Sequence, residues 1–225
     1  GMGATLALRG LAAEPARQRQ IRTCRRLLDD LGVELRVEDR SGLPAGDRRP
    51  VLFVHLDQQT LLSIPIYPLV LDRPFSLVVN VEFALLPLVG WYAVADGGVV
   101  VVRQWPAQAR GAVRRVTERL RGGRTFGMSI EGRRTDDGSL SPYKKGAAVL
   151  AIDAQCDIVP FMTHGEWDRW PRGTWRVRPG LVEAVLYPRM STRGLRYEDR
   201  DALVAELRAL AVRERRLRGI ARERA

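Results

Sequence analysis

One histidine stands where a catalytic base could act. His55 ends the apolar run PVLFVH, and Asp57 and Thr60 follow it closely. An imidazole can accept a proton from a hydroxyl near neutral pH, and a carboxylate on its other nitrogen fixes the tautomer and stabilises the imidazolium. This makes His55 a candidate general base, with Asp57 or the Thr60 hydroxyl as a candidate hydrogen-bonding partner.

A second segment, SIEGRRTDDGSLSPYKKGAAVLA at residues 129–151, combines cations with a strand, a loop and a helix start. In α/β sheets, ligands collect at the carboxyl ends of strands. A helix N-terminus there offers unpaired N–H groups and a positive dipole end to an anion. Arg134 and Lys144 are predicted to close on a phosphate at this point.

Alternating apolar patterns predict the elements that position these residues. Together they predict an α/β fold in one domain over residues 1–225, with a mixed, mostly parallel sheet flanked by helices. Apolar strands before residues 55 and 130 indicate that helices cover both faces of this sheet. The predicted parts are an amphipathic helix over 14–31, a core over 33–187 and a charged helix over 199–219. Within the core we predict strands at 33–37, 50–55, 75–80, 99–103, 125–130 and 157–163, a strand pair around 174–187, and helices at 58–70, 82–94, 107–121 and 144–155.

Charge and cysteine content restrict the partners. The chain has 37 Lys and Arg against 26 Asp and Glu, a net charge of +11, which favours a phosphorylated partner, either nucleic acid or an anionic bilayer. Cys24 and Cys156 lie far apart, which predicts a reducing, cytoplasmic setting without a zinc site. The uncharged runs at 58–71 and 83–95 are too short to span a membrane but could lie on one.

The order of residues in the second segment resembles a motif of the lysophosphatidate/glycerophosphate acyltransferases, F-P-E-G-T-R-S followed by F-K-x-G. Glu131, Gly132, Arg134, Lys144 and Gly146 match that motif. Three flanking segments are similar to the family's K-x-E-L, P-x-x-G, I-x-R and V-P signals in the same order: Glu82 with 86–91, 101–103 and 158–160. The resemblance covers roughly residues 33–165.

The family's remaining motif, N-H-x-x-x-x-D, is matched in part. His55 stands at the histidine, whereas Val54 replaces asparagine and Thr60 replaces aspartate. The resemblance implies a glycerophosphate acyltransferase-like fold and an activity that moves a fatty acyl group from acyl-CoA or acyl-carrier protein to a lysophospholipid hydroxyl. It implies a catalytic role for His55, for which Asp57 or Thr60 would replace the missing aspartate, without a metal or cofactor. The phosphate-binding residues that it implies are Arg103, Glu131, Gly132, Arg134 and Lys144.

Two other interpretations remain open. Because the carboxylate motif is altered at Thr60, the chain could be a non-catalytic phospholipid-binding relative. A nucleic-acid-binding protein is suggested by the arginine-rich helices at 17–26 and 208–224, but their arginines alternate with acids, as on a solvated helical face. We therefore expect no nucleic acid partner and a peripheral location at the inner, anionic face of a membrane. His164 is predicted to lie in a loop.

Overall fold

The computed structural model describes residues 17–220, apart from 45, 48, 59, 72, 86–96, 103–104 and 133–136. Helices and strands alternate over most of this length, as the apolar patterns predict. The strands are β1 (Val33–Asp39), β2 (Val51–His55), β3 (Ser76–Asn80), β4 (Val99–Val101), β5 (Phe126–Ser129), β6 (Asp157–His164) and β7 (Gly180–Leu186). The helices are α1 (17–30), α2 (Ser63–Val70), α3 (Val81–Ala84), α4 (Pro106–Arg121), α5 (Gly146–Ala154), α6 (Glu166–Arg169) and α7 (Arg200–Leu217), with a 3-10 turn at Tyr197–Asp199.

The seven strands form one sheet in the order β1-β7-β6-β2-β5-β3-β4. β6 and β7 pair antiparallel, and the other neighbouring strands pair parallel. The predicted mixed, mostly parallel sheet is confirmed. β2 is the central strand, and its last residue, His55, lies opposite Ser129 of β5 and Phe161 of β6.

Apolar residues cover both faces of this sheet. Alternate residues of a strand point to opposite faces, so Leu52 and Val54 join one buried cluster while Val51 and Phe53 join another. The first cluster packs beneath α4, α5 and α7, and the second beneath α1 and α2. Because β2 is covered on both sides, its carboxyl end is held in place within the core.

The predicted strand pair around 174–187 is wrong, since β7 is the single strand there and residues 171–179 form none. Pro171 and Pro179 bound this segment, and proline has no N–H to donate to a strand ladder. The predicted helix over 58–70 begins only at Ser63, after a turn in which the amide of Leu62 donates to Thr60 Oγ1 (3.0 Å). Of the helix predicted over 82–94, α3 accounts for the start, and 86–94 lie outside the described residues.

The end of β6 also differs from the prediction. His164 is its last residue and is 6% exposed, so it does not lie in a loop. Gly165 then reverses the chain with a φ of +88°, and a Cβ there would come within 2.7 Å of the Leu181 carbonyl oxygen. Only glycine adopts this conformation in so little space. The tight turn places Glu166, at the start of the short helix α6, beneath the sheet edge.

Candidate functional site

The two segments singled out in the sequence meet at one edge of the sheet. Backbone hydrogen bonds join them, because the amide of Ile130 donates to the His55 carbonyl (3.1 Å) and the amide of Lys144 donates to the Ile130 carbonyl (3.0 Å). The Tyr143 hydroxyl adds a bond to the Leu56 carbonyl (2.7 Å). Carboxyl ends of parallel strands are where α/β proteins bind ligands. The histidine and the 129–151 segment therefore form one site.

Two aromatic rings pack against the His55 ring. It is 0% exposed and stacks on Phe161, with ring centroids 4.4 Å apart and an interplanar angle of 12°. Tyr67 of α2 presents its ring edge at 5.6 Å. This packing excludes water and fixes the imidazole plane, so an acceptor hydroxyl reaches the ring only when neighbouring side chains move.

Hydrogen bonds distinguish the two ring nitrogens of His55. Nε2 lies 2.9 Å from Thr163 Oγ1 and 3.4 Å from Asp57 Oδ1, and the same Asp57 oxygen accepts the Thr163 amide at 3.1 Å. An ionised carboxylate only accepts, so the arrangement favours a proton on Nε2. Nδ1 is buried and has no hydrogen-bond partner among the described residues. Its lone pair is thus the one left for a proton from elsewhere.

Thr60 makes different contacts from those predicted. Its hydroxyl donates to Glu166 Oε2 (3.1 Å) and accepts the Leu62 amide, and neither bond reaches the His55 ring. Ser63 Oγ also lies 2.9 Å from Glu166 Oε2. Asp57, by contrast, lies beside the ring as predicted. Sequence reasoning missed Glu166, because nothing in its local pattern separates it from the exposed Asp168 two residues later.

Glu131 lies beneath the loop that it begins. It is 1% exposed, and its Oε1 accepts the amide of Ser141 at 2.5 Å. Burial raises the pKa of Glu131 to about 9, against which the Ser141 bond and the charges of Arg215 and Arg208 act to lower it. The carboxyl is thus neutral at pH 7 and ties together the two ends of the 131–141 loop.

The other predicted phosphate residues are only partly described. Gly132 is held through its carbonyl, which accepts Asn80 Nδ2 at 2.8 Å, and Lys144 is exposed just before α5. No ion pair is found for Lys144 among the described residues, whereas the adjacent Lys145 pairs with Asp201 at 2.8 Å. Arg103 and Arg134 lie outside the described residues.

Other chemistries find little support in the part of the chain that the structure describes. No group of three or more His, Cys, Asp or Glu side chains is arranged to hold a metal ion there. Burial raises the pKa of Cys24 to about 11 and of Cys156 to about 12, so neither thiol ionises readily near neutral pH. Among the same residues, no helix combines the length and apolar character required to cross a bilayer.

The fold and site together define a class. A mixed, mostly parallel sheet carries a buried histidine at the end of its central strand, beside a Glu-Gly loop and a lysine that precedes a helix. This is the arrangement that the resemblance in the sequence implies. The family model described as Acyltransferase matches residues 35–164, more than half of the chain, and the chain belongs to that family.

Curated relatives are similar over part of their length. A 1-acyl-sn-glycerol-3-phosphate acyltransferase of Limnanthes alba is 34% identical over 119 residues, which cover 51% of this chain and 41% of that one. One from Pseudomonas aeruginosa is 26% identical over 123 residues, 54% of this chain and 48% of that one. The chain thus spans less than half the length of these relatives.

A solved structure has the same fold. The 1-acyl-sn-glycerophosphate (LPA) acyltransferase PlsC from Thermotoga maritima matches with a TM-score of 0.75 at 23% sequence identity, over 95% of this chain and 86% of that one. The match extends over nearly the whole chain, including the segments on both sides of residues 35–164. It confirms the predicted fold class.

Proposed function

We propose that this chain transfers a fatty acyl group from an acyl thioester to a hydroxyl of a 1-acylglycerol-3-phosphate-like acceptor, with His55 as the general base. One observation carries the proposal: Nε2 of His55 is engaged by Thr163 and Asp57, which leaves Nδ1 without a hydrogen-bond partner among the described residues. The names of the relatives from Limnanthes alba and Pseudomonas aeruginosa support this acceptor class.

In the proposed reaction, Nδ1 of His55 removes the proton of the acceptor hydroxyl as its oxygen attacks the thioester carbonyl. The new C–O bond forms, the C–S bond breaks, and the imidazolium returns its proton to the leaving thiolate. The charge that develops on the imidazolium is stabilised by Asp57, 3.4 Å from Nε2. Direct transfer, without an acyl-enzyme intermediate, suits a chain whose two cysteines, Cys24 and Cys156, are poor nucleophiles.

Lys144, Arg134 and Arg103 are proposed to bind the acceptor's phosphate, and of these three Lys144 lies just before α5. The exposed Lys144 and the amides of a helix N-terminus both favour an anion there. Gly132 gives the loop its shape, with a φ of +72°. Glu131 is proposed to act from below the loop, where its neutral form does not repel a bound phosphate.

The proposed activity is tested by following thioester loss with acyl-CoA and with acyl-carrier protein as donors. Each donor is paired with 1-acylglycerol-3-phosphate, glycerol-3-phosphate and a neutral monoacylglycerol. We expect acyl transfer that requires the phosphate, and the better donor identifies the carrier. Saturable binding of the phosphorylated acceptor without turnover with either donor would instead favour a non-catalytic phospholipid-binding protein.

Lys144 and Lys145 offer a matched pair of substitutions. Because Lys144 is exposed without a described ion pair, we expect Lys144→Ala to raise KM for the phosphorylated acceptor about tenfold, the effect of losing one charge-assisted contact. Lys145→Ala breaks only the surface pair with Asp201 and is expected to change KM less than about twofold. Steady-state kinetics on both variants test whether Lys144 contacts the phosphate. Equal KM values in the two variants would remove Lys144 from the phosphate site.

We extend the proposal to peripheral binding at the anionic inner face of a membrane. Residues 170–179, WPRGTWRVRP, contain three arginines and no acid, and Trp175 is 98% exposed. An open groove of about 300 Å³ runs from Trp175 and Arg172 to Thr60. Tryptophan with arginine is the combination found at membrane–water interfaces. This loop would place the groove next to lipid.

Vesicle binding tests this surface. We expect the protein to sediment with phosphatidylglycerol vesicles more than with phosphatidylcholine vesicles, and less at high salt because salt screens the charges. Trp175→Ser is expected to weaken binding about threefold to tenfold by removing an interfacial anchor. Leu217→Ser, at a site 75% exposed at the end of α7, is the control. A loss of binding that is equal in the two variants would contradict the assignment to this loop.

A further inference from the structure

The C-terminal helix α7 carries two arginines that point into the protein instead of into water. Arg208 and Arg215 are seven residues apart, about two turns of helix, so they lie on the same face of α7. Arg215 is 0% exposed and Arg208 is partly buried, whereas Arg213 and Arg216 of the same helix are exposed. An arginine keeps its charge inside a protein, and burying a charge is costly unless it is hydrogen-bonded. The partners of these two side chains therefore show what this face of α7 is built to hold.

Both arginines bind the backbone of the segment that joins β5 to α5. Nη1 of Arg208 donates to the Ser141 carbonyl at 3.0 Å, and Nη2 of Arg215 donates to the Gly138 carbonyl at 2.6 Å. Hydrogen bonds from a charged donor are stronger than those between neutral groups. Residues 137–143 are thus tied to α7 at two points that are three residues apart.

Arg208 also contacts residues that are joined to the ends of β2 and β5. Its guanidinium lies 5.5 Å from the centroid of the Tyr143 ring, and the Tyr143 hydroxyl donates to the carbonyl of Leu56, the first residue after β2 (2.7 Å). The amide of Ser141 donates to Glu131, which follows β5 closely. Arg208 therefore holds a segment that is bonded to both strand ends at the site.

Gly138 packs against a second element as well as α7. It is buried with a φ of +74°, and a Cβ added there would come within 2.9 Å of Trp167 Cγ on α6. Trp167, Arg208 and Arg215 all come after residue 164, where the match to the family model ends. The conformation of residues 137–143 thus depends on parts of the chain that the family pattern does not include.

We propose that Arg208 and Arg215 are positioning residues that hold residues 137–143 in the conformation that binds the acceptor's phosphate. The proposal rests on the proposed function, because it concerns the phosphate site assigned to Lys144, the next residue along the chain. The two arginines act through the Ser141 and Gly138 carbonyls and do not contact the acceptor. The helix α7 is then part of the acceptor site, although it lies outside the residues that the family model matches.

Removal of either guanidinium tests the proposal. Methionine keeps an apolar stem of similar length, so Arg208→Met removes the hydrogen bond with little loss of packing. We expect it to raise KM for 1-acylglycerol-3-phosphate about tenfold, with kcat and the donor's KM changed less than about threefold, because acceptor binding is weakened. Arg215→Met is expected to act in the same direction. The matched control is Arg213→Met, which removes a largely exposed arginine of the same helix, paired only with Glu214 at 3.6 Å, and should change none of these constants.

The kinetic constants separate positioning of this segment from a general disturbance of the protein. An acceptor KM at the wild-type value in both Arg208→Met and Arg215→Met would overturn the proposal. An equal rise in the KM values of donor and acceptor would also overturn it, because the effect would not be confined to the acceptor site. Arg215→Met takes a buried charge away from its partners. If that variant fails to fold, as judged by circular dichroism, Arg208→Met with Arg213→Met as its control decides the outcome.

Hydrogen exchange provides a measurement that needs no turnover. In substrate-free protein, the amides of Ser139 and Ser141 should exchange at least about tenfold faster in Arg208→Met than in wild type or Arg213→Met, because a segment with fewer anchoring bonds opens more often. The amides of β2 should exchange as in wild type. Wild-type protein that consumes no thioester but shows this pattern would refute the acyltransferase activity and leave the anchoring by α7 standing. Unchanged exchange in an active enzyme would refute the anchoring alone.

Discussion

His55→Ala is expected to lower kcat by about a thousandfold, with a smaller change in KM. General-base catalysis contributes typically 10²- to 10⁴-fold, and alanine leaves no group that could take its place. The Nδ1 lone pair and the Nε2 contacts with Thr163 and Asp57 disappear together. Thioester consumption under single-turnover and steady-state conditions measures the loss at the chemical step.

The second histidine provides the control for that experiment. His164 is also buried, and its Nε2 lies 3.4 Å from the hydroxyl of Tyr187, the residue that follows β7. Burial lowers the pKa of His164, so its ring is neutral at pH 7. We expect His164→Gln to keep activity within about threefold when folded. Activity in His55→Ala equal to that of wild type would exclude His55 as the base.

Glu131→Gln is expected to stabilise the protein in alkaline solution. The pKa of Glu131 is about 9 in the folded protein, against 4.5 for an unperturbed glutamate. Between these values the folded state holds a proton that the unfolded state releases, so the stability present below pH 4.5 is lost as pH rises towards 9. Glutamine does not titrate and can still accept the Ser141 amide. Relative to wild type, the variant should gain about 4 kcal/mol in free energy of unfolding between pH 5 and pH 8.

Urea unfolding at several pH values measures this difference. Glu118→Gln is the control, because Glu118 is an exposed residue of α4 that takes part only in a surface pair with Arg114. We expect its stability curve to run parallel to that of wild type. Parallel curves for Glu131→Gln as well would mean that Glu131 is ionised in the folded protein. A charged Glu131 would then repel an acceptor phosphate, and its place beneath the loop would need another explanation.

Most of the fold could be predicted from the sequence because its signals are local. The apolar runs that end at His55 and Ile130 predict β2 and β5, and the alanine-rich stretch after Lys145 predicts α5. Prediction failed at 171–179, where alternating residues suggest a strand but prolines deny it the ladder hydrogen bonds. It also missed α6, since one helical turn carries too few residues to show a period.

The site divides in the same way. The placement of His55 at a strand end, the candidacy of Asp57 and the 129–151 segment all come from residue order, because each depends on neighbours along the chain. The contacts of Thr60 and Thr163 could not be predicted from residue order. They join groups 106 residues apart for Thr60 and Glu166, and 108 apart for His55 and Thr163. No short-range pattern encodes such a pairing.

By itself, then, the sequence determined the α/β class, the acyltransferase family and the two segments that build the site. Those properties follow from the spacing and periodicity of residues that lie close together in the sequence. Only the tertiary structure decided which nitrogen of His55 is engaged, that Glu131 is neutral, and that Glu166 approaches Thr60 from the end of β6. Burial and hydrogen bonding determine those outcomes, and both depend on which distant elements the fold packs together.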